Sequence, residues 1–120
     1  MTRHSPSNQQ IAEELKRGRE ALLNDEASRS LLAVLRQLLQ SITPNVYILR
    51  WIPEQGEDLY DVLVDGTTVA QVEIPRAGSG GQKICRTSTV EQYIREQPSM
   101  TKLERRKLEV AMNLAAGNKL

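Results

Sequence analysis

The chain has 120 residues, 16 Lys and Arg against 15 Asp and Glu, a formal net charge of +1, and only 3% aromatic residues with no Phe. That length fits one domain and leaves no room for two independent cores. Leu, Ile and Val number 15, 7 and 8, too many for intrinsic disorder, and with so few aromatics the core must be aliphatic. The single cysteine, Cys85, excludes an intramolecular disulfide and suits a reducing, cytoplasmic setting. The single histidine, His4, argues against a buried histidine base or a metal centre built from His and Cys, and no cofactor is expected. No stretch approaches the roughly 18 apolar residues of a membrane span, so no membrane partner is expected either.

Residues 1–7 read as a flexible leader without the apolar run of a signal peptide, and residues 8–120 as a single domain. From Asn8, Ile11, Leu15 and Leu22 recur at helical spacing, with Ala12 beside them and Glu13, Lys16, Arg17 and Arg19 opposite. Asn24 is placed to cap a second helix over about 26–42, with Asp25 and Glu26 at the positive end of its dipole. Leu31, Leu32, Leu35, Leu38, Leu39 and Ile42 give that helix a wide apolar stripe, flanked by Val34. Such a stripe predicts a central position with more than one neighbour. Thr43-Pro44-Asn45 ends it.

Residues 46–52 read as a strand with two apolar faces, Val46, Ile48 and Ile52 against Tyr47, Leu49 and Trp51. That pattern predicts a strand covered on both sides or lying in the sheet centre, with core or edge packing of Trp51 preferred over an exposed recognition pair with Arg50. Residues 59–64 and 67–74 predict a hairpin about Asp65-Gly66. A two-residue loop pairing Val64 with Thr67 mixes polar and apolar groups on both faces. A three-residue loop, Val64-Asp65-Gly66, separates them, with Tyr60, Val62, Thr68, Ala70, Val72 and Ile74 on one face. Asp61, Val69, Gln71 and Glu73, with Leu59 and Leu63, take the other, and this register is preferred.

Pro75 ends the strand, 76–81 form a loop, and Lys83–Arg86 predict a short fourth strand. Ser88-x-x-Glu91 has the form of a capping box for a short helix with Val90, Tyr93 and Ile94 inward. Thr101-x-x-Glu104 opens a last helix with Leu103, Leu108, Ala111 and Leu114 inward and Gly117 as terminator. The expected fold class is α+β: two N-terminal helices, a three- to four-stranded antiparallel meander, and two C-terminal helices packed on the sheet.

The charge is unevenly spread. Residues 1–75 hold 7 basic and 11 acidic groups, a balance of −4, and residues 76–120 hold 9 and 4, a balance of +5. Lys102, Arg105, Arg106 and Lys107, helped by Lys83, Arg86 and Arg95, are the candidate nucleic-acid contacts, since clustered cations attract phosphate through counterion release. Residues 91–108 resemble a helix-turn-helix, with a short helix, a Pro-containing turn, a Thr cap and a basic helix, though the usual turn glycine is missing. Asp61 and the tripeptide Glu73-Ile74-Pro75 on a hairpin resemble the core of the PD-(D/E)xK nucleases. That resemblance implies a divalent metal held by Asp61 and Glu73. It departs from the family at the lysine position, occupied here by Pro75. Gly78-Ser79-Gly80-Gly81-Gln82-Lys83 lacks the hydroxyl residue and following helix of a phosphate loop and reads as a plain loop. Cys85 has no histidine base and reads as a small packed side chain.

The reading with most support is a small non-catalytic protein-binding or regulatory module in the cytoplasm, with a protein partner or self-association. The alternatives are nucleic-acid binding through the basic C-terminal helix, and a nuclease-like or degenerate nuclease-like domain.

Overall fold

The computed structural model describes residues 5–38, 45–76 and 81–117. Among these residues, four helices, one 3-10 turn and four strands follow one another. Helix α1 is Asn8–Asn24 and α2 is Arg29–Leu38, entered through a 3-10 turn at Glu26–Ser28. The strands are β1 (Val46–Glu54), β2 (Glu57–Val64), β3 (Thr68–Pro75) and β4 (Ile84–Thr89). Helices α3 (Val90–Arg95) and α4 (Lys102–Ala115) close the domain. The sheet is an antiparallel meander in the order β1-β2-β3-β4, so the α+β architecture stands as expected.

Local chemistry accounts for the element ends. Ser7 caps α1, its Oγ accepting from the Gln10 N–H while the Gln10 side chain accepts from the Ser7 N–H. Thr101 and Glu104 make the same reciprocal box on α4, and Gly117, at φ 80°, stops that helix. The start of α3 lies one residue later than expected: Thr89, rather than Ser88, caps it by accepting from the Gln92 N–H. Asn24 does not start the second helix. It ends α1, its amide donating back to the Glu20 carbonyl. Leu39, Ile42, Thr43 and Pro44, like the Gly78-Ser79-Gly80 stretch and His4, lie outside the described residues.

The sheet is packed on both sides, and alternation along each strand divides the core in two. On one face Tyr47, Leu49, Leu63 and Val69 meet Ile11 and Leu15 of α1, Tyr93 of α3, and Leu108 and Ala111 of α4. On the other, Val46, Val62, Val64, Ala70 and Val72 meet Leu31, Leu32, Val34 and Leu35 of α2 and Leu22 of α1. We call these the α4 face and the α2 face. Leu35, Val46, Val62, Leu63 and Val69 are fully buried, and each such side chain contributes about 1.5–3 kcal/mol on leaving water.

Three expectations are corrected here. The β2–β3 loop is Asp65-Gly66-Thr67, with Val64 opposite Thr68, two places from the expected pairing. Asp65 and Gly66 both take positive φ, 54° and 74°, which suits Asp and Gly and carries the chain round. Because the shift is even, every side chain keeps its expected face. Second, of the two readings of the first strand, coverage on both sides holds for its first half and the sheet-centre position does not: β1 is an edge strand. Its first half is buried and residues 51–54 are exposed. Pro53 has no N–H to give to a ladder, and sheets tolerate proline at such edges. Third, Leu103 does not point inward; it is 49% exposed.

Candidate functional site

A bulge in β1 builds the site. The pairing with β2 shifts between Ile48 and Arg50, leaving Leu49 as the extra residue. Beyond it the alternation reverses, a usual consequence of a bulge. Arg50 now lies opposite Asp61, on the α4 face, and Trp51 lies opposite Tyr60, on the α2 face.

Arg50, Asp61, Gln71 and Arg86 are successive direct neighbours across all four strands. The next row outward is Ile52, Leu59, Glu73 and Ile84. All of these residues but Ile84 line a shallow basin of about 170 Å³.

Among the described residues Asp61 is the one charged side chain in the buried set, only 6% exposed. Its Oδ2 accepts from Arg50 Nε at 2.9 Å and from the Tyr93 hydroxyl at 2.7 Å. The Arg50 guanidinium also donates to Glu104 and to Gln97, each at 3.3 Å. Burial and the hydrogen bond to Asp61 push the Tyr93 phenol far above its ordinary range. Burial works against the Arg50 charge, but the hydrogen bond and charge of Asp61 outweigh it and raise its pKa. The Thr101 N–H, with Arg50 adding to it, holds Glu104 below the usual carboxylate range despite partial burial. This network ties β1, β2, α3 and α4 together at the border of the packed core.

On the α2 face, the Trp51 indole stacks on the Tyr60 ring at 6.5 Å between centroids and 11° between planes. Trp51 Nε1 donates to Asp58 Oδ1 at 3.1 Å, and Arg76 Nη2 donates to the same oxygen at 2.8 Å. The Arg76 bond is the main reason the Asp58 carboxyl is held below its ordinary range. So fixed, the indole is still 59% exposed. It forms one wall of an open groove of about 990 Å³, with Ile48 and Tyr60 beside it. Gly18, Ala21 and Ala27 line the groove, with Glu14, Arg17 and Lys107 also present. A methyl group added at Gly18 would meet nothing within 4 Å, so small residues there leave the groove open.

The structure distributes the seven basic candidates over several places. Arg106 Nη2 donates to the Pro6 carbonyl and to Asn8 Oδ1, holding the start of α1. Lys107 lines the Trp51 groove, and Arg105 pairs with Glu109 at 3.6 Å. Lys102 and Arg95 are exposed on α4 and α3, and Lys83 and Arg86 are exposed at β4. In the segment that resembles a helix-turn-helix, a groove of about 550 Å³ lies between α3 and α4, lined by Val90, Ile94, Leu108 and Met112 among others. Asp61 and Glu73 do share the α4 face, but the Asp61 carboxylate is engaged by Arg50 and Tyr93. Among the described residues, no group of three or more His, Cys, Asp or Glu side chains could hold a metal. Cys85 is half-buried against the α2-face core, and that burial raises its thiol pKa.

Sequence reasoning favoured packing for Trp51 over exposure, and it did not connect Arg50 to Asp61. Pro53, two residues after Trp51, was the available sign of an edge strand. Compared with protein-family models, curated proteins and solved structures, the chain matches none.

Proposed function

We propose that the chain is a non-catalytic protein-binding module that grips a partner polypeptide at the groove between α1 and the open half of the sheet. The observation that carries this reading is the exposed Trp51, stacked on Tyr60 and oriented by Asp58. A tryptophan already held in one orientation loses little side-chain entropy on binding. Trp is also the residue type most enriched at the energetic centres of interfaces. The mixed charges of Glu14, Arg17 and Lys107 suit a polar rim around that apolar anchor.

The test is affinity capture from the source cell's extract with the full chain and with Trp51→Ala, with and without nuclease treatment. A specific protein that the wild type retains and Trp51→Ala loses supports the reading. A central aromatic anchor is worth about 2 kcal/mol or more, roughly a thirtyfold change in affinity. Capture unchanged by Trp51→Ala would refute it. Capture abolished by the nuclease would point instead to nucleic acid, and to the exposed cations Lys102, Arg105 and Arg95.

A further inference from the structure

The two edges of the sheet are unequal. The outer part of β1 carries Pro53 and a bulge, two features that obstruct the addition of another strand. The other edge, β4, has neither. It pairs with β3 without interruption from Ile84 to Thr89, and among the described residues no strand pairs with its outer side. Its sequence, Ile-Cys-Arg-Thr-Ser-Thr, is rich in residues that favour strands.

The side chains at this edge define what would fit. The cross-strand row of Arg50, Asp61, Gln71 and Arg86 runs positive, negative, neutral, positive, and ends at an exposed Arg86. The side chains of Arg86 and Glu73 have no hydrogen-bond or ion-pair partner among the described residues. The next row, Ile52, Leu59, Glu73 and Ile84, ends at an isoleucine that is 46% exposed. A strand laid antiparallel along β4 would place one side chain beside Arg86 and, two residues later, another beside Ile84, both on the α4 face.

We propose that β4 accepts a fifth antiparallel strand from an acidic partner polypeptide, read as Asp or Glu, any residue, then an aliphatic residue. The acid completes the charge ladder at Arg86 and the aliphatic side chain covers Ile84. Main-chain hydrogen bonds along β4 supply affinity and these two side chains supply the choice of partner. Lys83 and Arg86, both exposed at this edge, steer an acidic segment to it. A second copy of the chain fits less well. Two-fold antiparallel pairing of β4 with both faces kept continuous sets Arg86 opposite or diagonal to its own copy, like charge against like.

The test uses the full chain and two end-blocked synthetic peptides, Thr-Thr-Glu-Thr-Val-Thr-Thr and its counterpart with Lys for Glu. Backbone amide signals are followed by nuclear magnetic resonance up to millimolar peptide. The acidic peptide is expected to shift and protect alternate amides of residues 84–89, with the Lys peptide about fivefold weaker. Arg86→Glu, a change at an exposed and unpaired side chain, is expected to reverse that preference without altering the fold. Trp51→Ala is expected to leave it unchanged, so that failure here and failure of the Trp51 groove are told apart. The proposal is overturned by silent β4 amides, by equal binding of the two peptides, or by a preference indifferent to Arg86→Glu. A sedimenting dimer whose β4 amides are already protected would overturn it as well.

Discussion

The two halves of the sheet are made by the same four strands and behave as different materials. In the half holding Val46, Val62, Leu63 and Val69, helices cover both faces and these side chains are almost wholly buried. In the other half, Trp51, Ile52 and Ile84 stand exposed. The Arg50–Asp61–Gln71–Arg86 row lies at the border, and at Asp61 charge enters the core. The difference teaches that packing and recognition have been separated along the strand axis rather than between sheet and loops. One half holds the strands in place, and the other presents them.

The comparison is tested hardest by truncating a side chain in the packed half. Leu63 is fully buried on the α4 face, and Leu63→Ala is expected to cost about 3–4 kcal/mol, read from the midpoint of a urea melt at unchanged slope. A loss below about 1 kcal/mol would mean that this half is less tightly packed than described.

The border comes next. Asp61→Ala leaves the Arg50 guanidinium and the Tyr93 hydroxyl facing a hole, with Glu104 and Gln97 still beside Arg50. Arg50 is partly solvated, so the expected cost is about 2–3 kcal/mol, below that of a fully buried pair. Tyr93→Phe, which removes only the hydroxyl, is expected to cost about 1–2 kcal/mol. Equal melting of wild type and Asp61→Ala would show that the network contributes no net stability.

For the open half the sign of the comparison reverses. Trp51→Ala removes a mostly exposed side chain, and the expected stability loss is under about 1 kcal/mol, from the Tyr60 stack and the Asp58 bond. The same change is expected to abolish partner capture. A melt that collapses with Trp51→Ala would place Trp51 among the packing residues after all.

What could be read from the sequence follows the same division. The helical spacing of Ile11, Leu15 and Leu22, the Thr101–Glu104 box and Gly117 all report local physics, and each sits where it was expected. The hairpin faces survived a wrong register because pleating makes an even slip invisible to burial. What failed was non-local. A run of apolar residues from Val46 to Ile52 looks the same whether or not a bulge interrupts it, and only the pairing with β2 reveals that Leu49 is extra. Arg50 could not be assigned to Asp61, nor Trp51 to Tyr60, before that bulge was known. Ser88 and Thr89 competed for one cap, and the ladder with β3, which runs on to Thr89, decided between them.

The smallest effect concerns pH, and it probes the border from both ends. Glu104 has a folded pKa below its unfolded value, set first by the Thr101 N–H and then helped by Arg50. A depressed carboxylate binds fewer protons in the folded state. Its contribution is therefore complete above about pH 5 and is lost as pH falls through the ordinary carboxylate range and below. Glu104→Gln keeps a side-chain acceptor for the Thr101 N–H but removes the charge beside Arg50. Its melt is expected to lie below wild type at neutral pH, by less than about 1 kcal/mol, and to converge on wild type toward pH 3 or so. Tyr93 acts at the other end with the opposite sign. Its raised pKa keeps the folded phenol protonated, while the unfolded one ionises from about pH 10, so alkali draws the chain toward the unfolded state. Tyr93→Phe is expected to reduce the alkaline slope, leaving the part due to Tyr60 and Cys85, whose pKa values burial also raises, and to leave the acid one. A Glu104→Gln gap that stays constant down to pH 3 would show that its effect is steric, and that Arg50 answers to Asp61 alone.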